Sequence, residues 1–346
     1  MMSDDSYVDE GDGFGQPPMP RASGRPLVTW ALLVVNLVVW LAATAAGGSE
    51  DRQVLLDYGA MFGPLIADGQ YWRFFTAMFL HVGIAHLAFN GFGLFVFGPL
   101  VEGAYGHARF LLVYVLAGLS GSVASYLLNS IAVGAGASGA GFGVLGALTA
   151  FFAAQRRILG PTATRSMMGL LALVGINLAY GFTTPGIDNM AHLGGFVGGV
   201  ALGLALAPSY TVVTSPFGAS LVQRDSTVLA GRWWVVPVAV AVLVAGTALA
   251  TTTLQDNGYT HLYRAEDHFA AGEVTRALEE TEAAVLLDEG LAEAYYLRAR
   301  ILVSLGDQAA ARRELVQAIS YADRSDSGGR RTVNEALDLL QRLRSG

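Results

Sequence analysis

Ser138 and His192 each open an uncharged, hydrophobic stretch, and their types suit them to work as a pair. Ser138 lies in Gly136-Ala137-Ser138-Gly139, at the head of a run that reaches Ala154. His192 lies in Ala191-His192-Leu193-Gly194-Gly195, at the head of a run that ends near Ala207. Polar or ionisable groups set into such runs are costly in lipid and mark functional sites. A hydroxyl next to an imidazole is the nucleophile–base pair of acyl transfer, and an imidazole titrating near ~6.5 suits a base at neutral pH. On two adjacent helices the pair would make a hydrolase that works inside the membrane.

A third polar group supports this chemistry. In His81-Val-Gly-Ile-Ala-His86-Leu-Ala-Phe-Asn90, His86 and Asn90 are four apart and share a helix face. Alone, such a pair reads as interhelical hydrogen bonding. Beside a serine and a histidine it reads as an oxyanion hole, with an imidazole N–H, an amide NH2 and the backbone N–H of Ser138 as donors. No acidic residue lies within an expected span to orient His192, and Asp188, four residues earlier, falls at the lipid–water boundary. A Ser-His dyad is therefore expected rather than a triad. Phe142, four after Ser138, either packs on the imidazole or is plain core.

What must position these residues is a pair of closely packed helices. Gly136 and Gly139 flank Ser138, and Gly143 and Gly146 continue the same helix; Gly194, Gly195, Gly198, Gly199 and Gly203 follow His192. Small residues at such spacing let helix backbones approach. The rest of the chain fits a polytopic membrane protein: 53% hydrophobic, 14% charged, with 43 glycines in 346 residues. Uncharged apolar stretches predict seven spans, at 27–46, 84–101, 110–129, 138–155, 167–182, 189–207 and 233–254. There is no Cys, which excludes disulfides, thiolate metal sites and cysteine nucleophiles. No metal site or cofactor is expected, and no basic run points to nucleic acid.

Orientation follows from arginine. With the N-terminus inside, cytoplasmic segments hold Arg21, Arg25, Arg109, Arg156, Arg157, Arg165, Arg224 and Arg232, against Arg52 and Arg73 in the opposite loops. Seven spans then place everything after residue 255 outside the cytoplasm, with the active site opening to that same outer face. Residues 1–26, rich in Gly, Pro and Asp, read as a disordered cytoplasmic tail and not as a signal peptide. The first loop, 47–83, interleaves Tyr58, Phe62, Tyr71, Trp72, Phe74, Phe75 and Phe79 with polar residues and is expected to lie half in the membrane.

Residues 260–323 repeat with a period of 34: Ala265 and Ala299, Gly272 and Gly306, Ala277 and Ala311, Ala284 and Ala318 correspond. This resembles tetratricopeptide repeats, with an amphipathic stretch at 330–344 (Val333, Leu337, Leu340, Leu343) as a capping helix.

Taken together, residues 58–207 resemble the rhomboid family of intramembrane serine proteases. The motifs are Trp72-Arg73, His81 with His86 and Asn90, Glu102 with Gly106 and Arg109-Phe110, Gly136-Ala-Ser138-Gly139, and Ala191-His192 with its glycines. The resemblance implies a six-helix core, a catalytic dyad of Ser138 and His192, and an oxyanion hole of His86, Asn90 and the Ser138 N–H. It implies a structural role for His81, an anchoring role for Trp72-Arg73, and single-span membrane proteins as substrates. The expected fold is all-α: a polytopic helical bundle of six rhomboid-like helices (27–207), a cytoplasmic linker (208–232), a seventh transmembrane helix (233–254) and a soluble helical-repeat domain (255–346). The expected place is the bacterial plasma membrane, with lipid, substrate and a protein or peptide ligand of the repeats as partners. Two other readings compete. One is a catalytically inactive relative that binds membrane-protein clients, which the presence of both Ser138 and His192 disfavours. The other is a small transporter, which lacks an inverted repeat and an intramembrane carboxylate.

Overall fold

The computed structural model describes residues 25–128, 131–215, 218–223, 228–324 and 327–345. The expected tail therefore lies, but for residues 25 and 26, outside the described residues. In chain order the helices are α1 (Leu27–Ala45), α2 (Arg52–Asp57), α3 (Gly63–Ala67), α4 (Arg73–Thr76) with a 3₁₀ turn at Ala77–Phe79, α5 (Gly83–Tyr105), α6 (His107–Leu128), α7 (Ser138–Ala154), α8 (Arg156–Thr183) and α9 (Asn189–Ala205). An antiparallel hairpin, β1 (Tyr210–Ser215) with β2 (Gly218–Gln223), precedes α10 (Val228–Gly231), α11 (Val235–Leu254), α12 (Gly258–Ala270), α13 (Val274–Leu287), α14 (Ala292–Ser304), α15 (Gln308–Tyr321) and α16 (Ser327–Ser345). The chain forms two compact units. One is built on the chain up to Ala60, Phe74–Leu128 and Gly134–Ala245; the other is built mainly on Met61–Arg73 and the chain from Gly246 onward.

All seven expected spans are helices. Five of them, α1, α5, α6, α8 and α11, are long and apolar enough to cross a membrane, while α7 and α9 have 17 residues each. At about 1.5 Å per residue those two reach about 25 Å, short of a hydrocarbon core of about 30 Å. The first unit is apolar on its outside, with Phe89, Phe92, Ile176, Phe182 and Val242 all strongly exposed. Where α6, α7 and α9 meet, Gly and Ala line the contact, as close helix packing without a hydrophobic driving force requires.

Three departures from the sequence reading have local causes. Residues 156–166, expected as a loop, are helical, and α8 changes direction at Gly160 (φ 53°, ψ −137°) before Pro161; the ring of Pro161 cannot continue the hydrogen-bond ladder. The linker 208–232 contains the β-hairpin, so among the described residues the regular structure is helical apart from this one element. Tyr210 anchors it, donating a 2.5 Å hydrogen bond to the Ala104 carbonyl, and burial pushes its phenol up to about 12. The acidic Glu102 falls inside α5 rather than beyond it. Its carboxylate accepts the backbone N–H groups of Val28 and Thr29 at 2.9 and 2.8 Å, together with the Thr29 hydroxyl and the His107 imidazole. It thus satisfies donors that the first turn of α1 leaves without intrahelical partners, a structural use of an intramembrane carboxylate.

In the second unit α12–α13 and α14–α15 form two helical hairpins. Gly272 (φ 79°) and Gly306 (φ 83°) take the left-handed conformation just past α12 and α14. The following N–H groups, of Glu273 and Asp307, bond back to the carbonyls of His268 and Leu302, closing matched helix ends. The alanines at the 34-residue spacing, Ala265 and Ala299, Ala277 and Ala311, Ala284 and Ala318, are all fully buried. In α16, Val333, Ala336 and Leu343 are buried and Leu337 is exposed. The apolar face of that helix covers Leu315 and Ala318 of α15.

Candidate active site

Ser138 is the first residue of α7, directly after Ala137. Its backbone N–H is one of the donors that a helix start leaves without an intrahelical acceptor, at the positive end of the helix dipole. His192 lies in the first turn of α9, its N–H bonded to the Asp188 carbonyl at 3.2 Å.

Glycines lock α7 against α9. A Cβ on Gly195 would meet the Gly139 carbonyl oxygen at 2.0 Å, one on Gly199 the Gly143 oxygen at 2.1 Å, and one on Gly146 the Phe196 oxygen at 2.3 Å. Helix α6 joins them: a Cβ on Gly121 would meet the Ala191 oxygen at 2.6 Å, and one on Gly194 the Ser120 oxygen at 2.8 Å. These are backbone atoms with nowhere to go, so the close approach depends on glycine. The glycine stripes of α7 and α9 were legible in the sequence. Gly121 was not singled out, although it too faces α9.

The Phe142 ring stacks on the His192 imidazole, with centroids 4.2 Å apart and planes 5° from parallel. Of the two readings of Phe142, packing on the imidazole is the one found. His192 is buried, and its Nδ1 has no protein partner among the described residues. Asp188 does not reach it. One Asp188 oxygen caps α9 by accepting the Ala191 N–H at 3.0 Å, and the other accepts the Ser125 hydroxyl of α6. Asp188 is therefore a positioning residue for α9, and Ser125 is a partner that the sequence reading missed. Replacing Asp188 with Asn, which also caps helices well, is expected to keep turnover within about threefold, whereas loss of a triad carboxylate costs about 10⁴. A loss near that larger figure, measured as cleavage rate, would add Asp188 to the catalytic residues.

Gly136 is held at φ 143° and donates its N–H to the Ala77 carbonyl at 2.9 Å. A Cβ there would meet His86 Nε2 at 2.9 Å and Ser138 Oγ at 3.7 Å, so both atoms border one small space. His86 Nδ1 accepts the Val82 N–H at 3.3 Å. A neutral imidazole accepting there carries its proton on Nε2, and so presents a donor on the Ser138 side. Asn90 donates to the His86 carbonyl at 3.1 Å, which leaves its second amide hydrogen for another acceptor. Gly139 itself would accept a Cβ at 3.4 Å from Ala191 O; the tighter demand is on Gly195 opposite. His81, just before α5, is buried and packs edge-on to His86 with centroids 5.3 Å apart. Burial, and then the neighbouring His86, hold it down at about 4, so it is neutral at physiological pH. Among the described residues no cluster of metal-ligating side chains is present.

Over the segment that carries these residues the chain is similar to known proteins. The pattern of the Rhomboid domain matches residues 68–209. The chain is 39% identical over 192 residues to Rhomboid protease GluP of Bacillus subtilis (strain 168), an alignment covering 54% of this chain and 37% of that protein. It is 34% identical over 180 residues to Putative rhomboid protease YdcA of the same organism, covering 51% of this chain and 86% of that one. With RHOMBOID-like protein 5 of Arabidopsis thaliana it shares 37% identity over 163 residues, 46% of this chain and 52% of the relative. The chain thus spans about a third of GluP and half of the plant protein, but most of YdcA. With the Ser138, His192 and His86 regions inside the matched segment and one relative aligned over most of its length, the chain belongs to the rhomboid family.

Proposed function

We propose that this protein is an intramembrane serine endopeptidase that cleaves single-span membrane proteins in or near their transmembrane segment. The observation that carries the reading is the seat of His192, stacked on Phe142 of the serine helix, with the two helices locked through Gly139–Gly195 and Gly143–Gly199. Ser138 Oγ attacks the scissile carbonyl, and His192 takes the hydroxyl proton. The carbonyl oxygen becomes negative and is met by His86 Nε2–H, the free amide hydrogen of Asn90 and the Ser138 N–H. His192 returns the proton to the leaving amine. Water then attacks the acyl-enzyme with His192 again as base, which frees Ser138 and releases the second product. A base that must alternate between accepting and donating needs a fixed ring, and the Phe142 stack supplies one.

The shortness of α7 and α9 supports a site that opens to water from one face. Placing that face outside the cytoplasm rests on the arginine distribution. A membrane-impermeant thiol reagent on intact cells is expected to label Thr184→Cys but not Arg165→Cys, with no background because the chain has no Cys. The reverse pattern would invert the orientation.

The repeat-bearing unit is read as tetratricopeptide-like, on the strength of its matched glycines and alanines. Its side of the membrane is supported by a pairing within that unit: Arg264 of α12 donates to the carboxylate of Asp68 in the first loop. Both must share one side, and the helices between them that would cross (α5 to α9, and α11) are even in number.

For the oxyanion donors, Asn90→Ala and His86→Ala are each expected to lower turnover by roughly 10²–10³ while leaving the thermal midpoint in detergent unchanged. Full activity in either variant would reduce that residue to a structural hydrogen-bonding group. The inactive-relative reading would be favoured instead if purified protein in liposomes cleaved no single-span substrate.

A further inference from the structure

The middle of the first loop is built into the unit that carries the repeats. Helix α3 and its flanks supply that unit with buried Met61, Phe62, Ile66 and Ala67. Phe62 meets Tyr263 of α12 edge to face, with centroids 5.2 Å apart. One residue on, Arg264 sends Nε and Nη2 to the same Asp68 oxygen, at 3.0 and 2.6 Å. An aromatic contact and a forked charge-assisted bond from consecutive residues of one helix hold a short segment at two points.

The same loop is fastened a few residues later within the catalytic unit. The Phe74 carbonyl accepts the Ser122 hydroxyl of α6 at 3.0 Å, and Thr76 Oγ1 donates to the Gly59 carbonyl at 2.7 Å. The Ala77 carbonyl accepts the N–H of Gly136, two residues before Ser138. Eight residues therefore separate the Asp68 anchor from the Ala77 carbonyl, the backbone acceptor that fixes the serine loop.

We propose that the repeats clamp the first loop through Tyr263 and Arg264, and that this clamp sets the rate of the catalytic core. The proposal rests on the protease reading, and it gives the repeats a role beyond recruiting the soluble part of a substrate. Whatever loosens α12 from Phe62 and Asp68 relaxes the chain that carries Ala77, and with it the positioning of Gly136 and Ser138. The coupling runs through the covalent chain and the hydrogen bonds at Phe74, Thr76 and Ala77.

The test uses full-length protein in liposomes and a single transmembrane peptide without soluble flanks, so that tethering cannot contribute. Two readouts are taken: hydrogen exchange of residues 61–73, and turnover. Arg264→Ala is expected to speed that exchange and lower turnover about two- to fivefold, in keeping with a half-exposed ion pair. Adding Tyr263→Ala should take the loss to about tenfold. The exchange of α7 should stay unchanged, which shows that the core remains folded. The charge swap, Asp68→Arg with Arg264→Asp, should recover both readouts relative to either single change. Unchanged exchange of 61–73 in the double variant, or faster exchange with undiminished turnover, would overturn the proposal. Absence of cleavage by the unsubstituted protein sinks the protease reading instead, and the exchange arm then decides the clamp alone.

Discussion

Ser138→Ala and His192→Ala are each expected to lose peptide-bond cleavage by on the order of 10⁴ or more, and the double variant to lose little beyond either single one. Nucleophile and base act as a unit, so removing one removes what the other contributes. The residual rate would come from the oxyanion donors and from substrate binding, which neither substitution touches. The stack of Phe142 on His192 adds a graded version of the same test. Phe142→Leu keeps an apolar side chain but not the flat face, so turnover should fall while the loss stays well short of His192→Ala. The measurement is initial rate on a single-span substrate in liposomes at matched enzyme. Independent, multiplying losses from Ser138 and His192 would argue against a dyad.

The second large effect is expected from the glycines that bring the two helices together. A side chain at Gly195 or Gly199 would fall within 2.0 or 2.1 Å of a backbone oxygen of α7. No rotamer relieves such an overlap, so the helices must separate. Gly195→Leu and Gly199→Leu should each cost about 3 kcal/mol or more, the upper end for overpacking, and should abolish cleavage. Gly141→Ala, on the same helix as Ser138 but with nothing within 4 Å of the added atom, should be tolerated. Thermal midpoints in detergent together with turnover check this. A Gly195→Leu protein that keeps its midpoint and its rate would show that α7 and α9 do not meet as described.

These particulars show which parts of the molecule a sequence makes legible. Ser138 and His192 stood out because polar groups in lipid need a reason, and the facing glycines stood out because close helix packing needs small residues at regular spacing. The 34-residue repeat could be read because its turn glycines and contact alanines recur at fixed offsets, and all six alanines are buried. What was not legible depends on partners distant in sequence. The Ser125–Asp188 bond spans two helices, and neither residue alone differs from an ordinary helix serine or helix cap. Glu102 looked like the end of a span because a charge stops a hydropathy scan, whereas the start of α1 neutralises its cost. The attachment of Phe62 and Asp68 to α12 joins residues about two hundred positions apart, and no local pattern announces it. That attachment also alters how a truncation should be read. Removing residues 256–346 takes away the cover of the first loop along with any recruiting surface, so point changes at Tyr263 and Arg264 separate the two roles more cleanly.

The central claim is that Ser138 is a nucleophile activated by His192. It is tested most directly by treating the protein in liposomes with an electrophilic fluorophosphonate and mapping the adduct by mass spectrometry. The account predicts a covalent adduct on Ser138 that forms in step with loss of cleavage, is absent in Ser138→Ala, and forms far more slowly in His192→Ala. Full inactivation with Ser138 unmodified, or an adduct on Ser138 that leaves cleavage intact, would contradict it.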